Sequence, residues 1–180
     1  MTNPTLLGLS GALRQGSTNT KLLAEAARLF GDATYNLGNL HLPLYDGDIE
    51  TDQGIPKSVQ TLAAQIAAAD AIIISSPEYN SGVTGVLKNA LDWISRVEGN
   101  PWAAKPVAVM SAAAGRSGGV RAQTMLRSCL TPFNPAILQG PEIALAESYN
   151  QFDDTGRLTN EMAEKQLTAL MAALRAMAQA

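Results

Sequence analysis

The sequence predicts an α/β protein, built as a single domain over residues 1–180 around a five-stranded parallel sheet with helices on both faces. Three observations favour this class. Short apolar runs alternate with helical patterns along the chain, which is typical of parallel sheets with crossover helices. The run from Ala71 to Ile74 is apolar without alternation, as in a strand covered on both faces. The length allows one sizeable core but not two.

The first half of the chain is predicted to supply three strands and two helices. The strands are expected at 5–10, 33–37 and 71–74. The first helix spans 18–30 because its apolar residues recur on one face, namely Leu22, Leu23, Ala26, Leu29 and Phe30. The polar stretch 41–53 is expected to be a loop. Pro56 then suits the first position of the second helix.

The second half supplies the remaining elements. Helices are predicted at about 83–97, 117–130 and 159–178, with a strand at 106–110. A fifth strand fits either 136–138 or 143–145, and the pattern does not choose between them. Five strands suit a three-layer, flavodoxin-like sheet of order 2-1-3-4-5. Because ligands bind such sheets at the carboxyl ends of the strands, the site is expected in loops 10–19, 75–82 and 111–119.

Composition excludes several classes of protein. The net charge of −3 argues against nucleic-acid binding. One Cys and one His leave no intramolecular disulfide and no transition-metal cluster. Neither a signal peptide nor an apolar run of about 20 residues is visible. A soluble cytoplasmic protein with neither membrane nor nucleic-acid partners is therefore expected.

The loop from Ser10 to Asn19 is the most informative segment. It follows a strand, opens a helix and is rich in hydroxyl groups. A helix N-terminus carries about half a positive charge and unpaired N–H groups, so it suits a phosphate. An ordinary strand-to-helix turn, with Ser17 or Thr18 as N-cap, is the alternative.

Two common phosphate motifs are absent from this loop. Gly11 and Gly16 have the spacing of a triphosphate P-loop, but Ser17 stands where that loop needs lysine. The dinucleotide pattern G-x-G-x-x-G is also missing. A single terminal phosphomonoester is the anion that remains.

The other two loops predict a flat pocket. The loop 75–82 places a rigid Pro77 beside Tyr79, and the loop 111–119 is rich in small residues. Small residues let a flat ligand approach backbone N–H groups. A planar ring with polar edges would fit between these loops.

Two motifs identify a family. The segment from Gly11 to Asn19, and Pro77-Glu78-Tyr79-Asn80 followed by residues 85–93, resemble the NADPH-dependent FMN reductases. That family includes quinone, azo-dye and chromate reductases of flavodoxin-like fold, and the resemblance covers residues 5 to 130. One departure is Ala12, which stands where the family usually has serine.

The resemblance implies a set of cofactor-binding residues. Arg14, Ser17 and Asn19 would hold the FMN phosphate, with Ser10 and Thr18 nearby. The flavin ring and ribityl chain would meet Pro77, Glu78, Tyr79, Asn80, Ser111 and Gly115. The N-terminus of the helix at 117–119 would stabilise charge on the reduced ring. No catalytic side chain and no metal are implied, because the chemistry belongs to the flavin.

Other roles remain open for several of these residues. Arg14 is also compatible with a surface cation, Tyr79 with packing and Asn80 with turn formation. Glu78 is more readily a structural acceptor for backbone N–H groups than a catalyst. Arg116 is equally compatible with the surface and with a contact to the NADPH 2′-phosphate or an anionic substrate.

The implied activity is hydride transfer from NADPH or NADH to FMN, followed by transfer of two electrons to a quinone-like, azo or other small acceptor. The alternatives are a flavodoxin-like electron carrier without NAD(P)H activity, and a phosphate-binding protein without flavin. The resemblance also implies a homodimer or homotetramer, and apolar Val83, Leu87 and Trp93 are compatible with an interface.

Overall fold

The computed structural model describes residues 3–180 and confirms the predicted α/β architecture. The strands are β1 (Thr5–Ser10), β2 (Thr34–Gly38), β3 (Ala71–Ser75), β4 (Pro106–Ala112), β5 (Ala136–Ile137) and β6 (Ile143–Leu145). The helices are α1 (Thr18–Phe30), α2 (Gly47–Gln53), α3 (Lys57–Ala68), α4 (Gly85–Ile94), α5 (Val120–Leu130) and α6 (Glu161–Ala178).

The strands form one parallel sheet in the predicted order, β2-β1-β3-β4-β5. Strand β1 lies between β2 and β3, so Gly8 faces Leu37 on one side and Ile73 on the other. The order reverses at β1, because the chain first moves outward to β2 and then returns to β3. The carboxyl ends of β1 and β3 therefore meet in the middle of the sheet, where a ligand crevice is expected.

The last position of the sheet is divided between two short strands. The amino-terminal half of β4 pairs with β5, with Pro106 opposite Ala136. The carboxyl-terminal half of β4 pairs with β6, with Met110 opposite Ile143. Both segments proposed for the fifth strand are thus correct, and residues 138–142 interrupt it.

Two apolar layers cover the sheet. Helices α1 and α6 pack on one face, and α3, α4 and α5 on the other. Side chains of β3 alternate between the layers, since Ile72 and Ile74 enter the α3–α5 layer while Ile73 enters the α1–α6 layer. All five residues of β3 are buried, which explains its unbroken apolar run.

The structure corrects several sequence expectations. The stretch 41–53 contains the helix α2, which Asp46 caps by accepting a hydrogen bond from the Asp48 N–H. Pro56 is the N-cap of α3 rather than its first residue. Helix α4 is shorter than predicted, and none of the described helices is both long and apolar enough to cross a bilayer.

The apolar side chains considered for an interface face inward. Val83, Leu87 and Trp93 are all buried in the α3–α5 layer. The Trp93 indole N–H also donates to the Pro43 carbonyl at 2.8 Å. These residues stabilise the core and do not offer a surface to a second subunit.

Candidate functional site

A cavity of about 330 Å³ lies at the carboxyl edge of the sheet, where the sequence predicts a site. Its volume falls within the range typical of small-molecule sites. All three predicted loops contribute to its wall, together with a fourth segment after β6. The lining residues are Ala12, Arg14, Ser17, Thr18, Asn19, Pro77, Glu78, Tyr79, Ala112, Ala113, Ala114, Gly115, Ser117, Ser148 and Tyr149.

The first loop presents the N-terminus of α1 to the cavity. Ser17 is buried and caps the helix, because its Oγ accepts the Asn19 N–H at 3.2 Å. Gly16 precedes it with a φ of 70°, a conformation that favours glycine. The exposed Arg14 guanidinium donates to the Gly16 carbonyl at 3.2 Å. A cation and the positive end of a helix thus lie beside one another, which suits an anion.

Asn19 lines the cavity but uses its side chain to join the strands. Its Nδ2 donates to the Ala112 carbonyl at 2.8 Å, and its Oδ1 accepts from the Ala112 N–H and the Ser75 hydroxyl. All three residues are buried. The side chain therefore binds protein groups where the resemblance implied a phosphate contact.

Ser10 is also turned toward the protein. Its Oγ hydrogen-bonds the Thr20 hydroxyl at 2.9 Å and the Ala12 backbone. Ser10 does not line the cavity wall. The hydroxyl thus holds the first loop in shape, where the resemblance implied a position near a phosphate.

The second loop ends in a tight two-residue turn. The backbones of Tyr79 and Gly82 exchange two hydrogen bonds, at 3.2 and 3.1 Å. The two residues between them, Asn80 and Ser81, both have positive φ, as in a type I′ turn. Asn80 is thus the turn-former considered above, and it does not line the cavity. Tyr79 does line it, with 57% of its surface exposed.

Glu78 connects the second loop to α5. Its carboxylate accepts the Arg121 N–H at 3.1 Å and pairs with the Arg121 guanidinium at 3.0 Å. A carboxylate at a helix N-terminus is favourably placed. The structural role favoured from the sequence is therefore the one observed for this carboxylate, and Glu78 also lines the cavity.

The third loop is held from beneath. The buried Ser111 hydroxyl donates to the Gly118 carbonyl at 2.7 Å and accepts from the Gln123 amide at 2.8 Å. Ser111 itself does not reach the cavity wall, which is formed by the small residues 112–115. A Cβ on Gly115 would meet open space, so this stretch leaves room for a flat ligand. Arg116 lies outside the wall.

A fourth wall segment, Ser148 and Tyr149, was missed by sequence reasoning. The buried Ser148 hydroxyl bonds the Thr18 hydroxyl at 3.0 Å, and the Ser148 N–H donates to the Ala113 carbonyl at 3.0 Å. The signal that could have found this segment is the strand at 143–145. Ligands bind at the carboxyl ends of strands, and residues 146–150 directly follow the carboxyl end of this strand.

Comparison with known proteins agrees with this geometry. The family model for NADPH-dependent FMN reductases matches residues 4–150. An NAD(P)H-dependent FMN reductase of Pseudomonas aeruginosa is 41% identical over 171 residues, which cover 92% of each chain. A quinone reductase of Escherichia coli is 36% identical over 170 residues, covering 92% of this chain and 90% of the relative.

A solved structure shows the same fold over nearly the whole chain. It is FerB, a flavoenzyme NAD(P)H:(acceptor) oxidoreductase from Paracoccus denitrificans, which is 31% identical. Its TM-score is 0.88, and the match covers 98% of this chain and 97% of FerB. Cavity, family model and relatives converge, and the chain belongs to the NADPH-dependent FMN reductase family.

Proposed function

We propose that the cavity binds FMN and that the protein is an oxidoreductase passing electrons from NAD(P)H to a quinone-like, azo or other small acceptor. The membership of the FMN reductase family supports this activity. The observation that carries the proposal is the pairing, in one cavity, of an anion-binding helix N-terminus with a wall of small residues.

The residues present fit the two ends of FMN. The α1 N-terminus, Arg14 and the hydroxyls of Ser17 and Thr18 suit the phosphate, which charge-assisted hydrogen bonds would hold. The backbone of residues 112–115 and the segment Pro77 to Tyr79 suit the flat ring. When bound, FMN supplies the capacity to accept hydride and release two electrons.

The chain's own groups have binding and orienting roles. The Glu78–Arg121 pair fixes the second loop on α5, and Ser111 with Gln123 fixes the third. Helix α5 begins directly after the third loop, so its N-terminus directs a positive dipole toward that end of the cavity. The three loops therefore hold a ring in one orientation while a planar substrate approaches it.

The first test is cofactor binding and turnover. We expect the purified protein to be yellow, or to become so with FMN, and to oxidise NADPH or NADH when a quinone is present. A colourless protein that cannot be reconstituted would refute the proposal. A yellow protein inert toward both nicotinamides would be an electron carrier.

A matched pair of variants tests the phosphate end. Arg14→Ala should weaken FMN binding roughly 10- to 100-fold, because a charge-assisted hydrogen bond is worth about 1.5–3 kcal/mol. Lys165→Ala removes an exposed cation on α6, outside the cavity, and should leave affinity unchanged. Equal affinities of the two variants, measured by quenching of flavin fluorescence, would place the phosphate elsewhere.

We also propose an oligomeric state, a role for Arg116 and a cellular location. A homodimer or homotetramer rests on the family resemblance, and exposed Leu13, Leu37 and Leu44 are among the apolar side chains available to it. Sedimentation measurements decide the oligomeric state. A contact of Arg116 with the NADPH 2′-phosphate predicts that Arg116→Ala raises KM for NADPH but not for NADH. A cytoplasmic location rests on composition alone.

A further inference from the structure

Tyr149 is an aromatic wall residue that lies outside both motifs of the family resemblance. It lines the cavity, yet 65% of its surface is exposed. Three other wall residues, Ser17, Asn19 and Ala112, are buried. The ring of Tyr149 therefore stands at the rim, where it remains accessible to a molecule entering from solvent.

The backbone that carries this ring is fixed at several points. Its neighbour Ser148 bonds the Thr18 hydroxyl and the Ala113 carbonyl, each at 3.0 Å. The Asn150 N–H donates to the Glu147 carbonyl at 2.9 Å and closes a helical turn around Tyr149. An aromatic ring on a fixed backbone loses little conformational entropy when it meets a ligand, because only two side-chain torsions remain.

Tyr79 reaches the same cavity from the opposite side of the sheet. The turn that carries Tyr79 packs on Met125 of α5, whose Sδ accepts the Val83 N–H at 3.4 Å. Ser148 instead bonds α1, which covers the other face. Because β4 lies between β3 and β6, the small residues 112–115 separate the two tyrosines. The exposed side chains of Tyr79 and Tyr149 thus lie on either side of the wall that is proposed to contact the flavin ring.

We infer that Tyr149 contacts an exchangeable substrate by stacking on its planar ring. This inference rests on the proposed function and names a specificity-determining residue for it. The shared chemistry is an aromatic or quinonoid ring, supplied by the dinucleotide donor or by the acceptor. The α1 N-terminus and the wall 112–115 are the parts of the cavity proposed for FMN, which leaves the exposed ring of Tyr149 to the molecules that exchange.

The test compares Tyr149→Ala with Tyr149→Phe. Met162→Ala is the matched control, since Met162 is 63% exposed on α6 and lies outside this cavity. Tyr149→Ala should raise KM for its substrate about three- to tenfold, the range expected for an aromatic pair, while kcat and FMN affinity stay unchanged. Tyr149→Phe keeps the ring and should behave as wild type.

Separate measurements identify the substrate. KM is measured for NADPH, NADH and a quinone, each with the other substrate saturating, and FMN affinity by titration of the apoprotein. Calorimetric binding of NADP⁺ gives an equilibrium readout that does not depend on turnover. A raised KM for the nicotinamide with weaker NADP⁺ binding assigns Tyr149 to the donor, and a raised KM for the quinone alone assigns it to the acceptor.

Three results in an active wild-type protein would overturn this inference alone. They are unchanged constants in Tyr149→Ala, weakened FMN binding with unchanged KM, and an equal loss in Tyr149→Phe. A wild-type protein that binds no FMN, or oxidises neither nicotinamide, would refute the proposed function and this inference with it.

Discussion

Replacing Asn19 with alanine should destabilise the apoprotein by about 3–4 kcal/mol. The change deletes three side-chain hydrogen bonds of 2.8, 2.8 and 3.0 Å to Ala112 and Ser75. Both partners are buried, so their polar atoms are left without the amide. Losing a hydrogen bond costs about 1–3 kcal/mol of stability when the buried partner is left unpaired. Water can partly enter the space left by the side chain, so each of the three bonds should cost an amount near the lower limit.

Urea unfolding of the apoprotein measures this loss without the contribution of a bound flavin. The midpoint should fall with an unchanged m-value, because the surface exposed on unfolding is the same. In thermal unfolding the loss corresponds to a fall in Tm of roughly 6–16 °C for a chain of this size. Asn36→Ala is the control: Asn36 is exposed on β2, and its replacement should change stability by less than about 0.5 kcal/mol.

A double-mutant cycle with Ser75 tests whether the loss of stability comes from the hydrogen bonds of the Asn19 side chain. Ser75→Ala alone removes one of the three bonds and should cost about 1 kcal/mol. Combined with Asn19→Ala it should cost little more than Asn19→Ala alone, since the shared bond is already lost. Strict additivity, or a total loss below about 1 kcal/mol for Asn19→Ala, would refute the reasoning.

The remaining predictions concern backbone strain, a buried carboxylate and a partly exposed phenol. Gly118→Ala should cost at least about 2 kcal/mol, because φ is 63° and the new Cβ would overlap the Ala144 carbonyl, whereas Gly115→Ala should be tolerated. Glu25→Ala should cost about 1–2 kcal/mol in urea unfolding, because the buried Leu158 N–H loses its acceptor, while solvent screens the pairs with the two arginines. Burial raises the pKa of Tyr35 to about 12, so its contribution to stability is complete below pH 10 and is lost as the pH rises through 12.

Each of these predictions has its own check. Equal stabilities of the two glycine variants would show that the third loop adapts to a side chain. For the phenol, pH-dependent unfolding of Tyr35→Phe should lack part of the decline between pH 10 and 12. The decline in stability that Tyr35 causes over this pH range should be about 1 kcal/mol, because the side chain is partly exposed and solvent screens the effect. A Glu25→Ala protein as stable as wild type would mean that Arg28 and Arg157 find other partners.

The long, periodic elements could be predicted from the sequence because their burial leaves a clear pattern. The observed bounds of β1 and α1 are the predicted ones. Helix α2 escaped notice because it has seven residues and none of them is buried, so no apolar face exists to show a period. The short runs of β5 and β6 are each compatible with a strand, and only their pairing with different halves of β4 shows that both are strands.

The location of the cavity could also be predicted from the sequence, but the directions of the side chains around it could not. The carboxyl-edge rule indicates loops, and eight of the eleven residues expected to bind the cofactor line the cavity. Ser10 and Ser111 do not, because their hydroxyls bind protein groups nearby. Asn80 does not, because it forms the two-residue turn after Tyr79. Whether a side chain faces the cavity or binds the protein depends on tertiary contacts, such as the bond from Ser111 to Gly118. The local sequence pattern does not show these contacts.

The interrupted last position of the sheet has a consequence for colloidal behaviour. A strand from another molecule extends a sheet by pairing with a continuous row of free backbone groups, and natural edges are protected against this. At this edge such a strand would meet two residues of β5, a break, and three residues of β6. The opposite edge, β2, offers five consecutive residues. Edge-to-edge aggregation of partly unfolded molecules is therefore expected to begin at β2, and a lysine introduced there at exposed Leu37 should slow it.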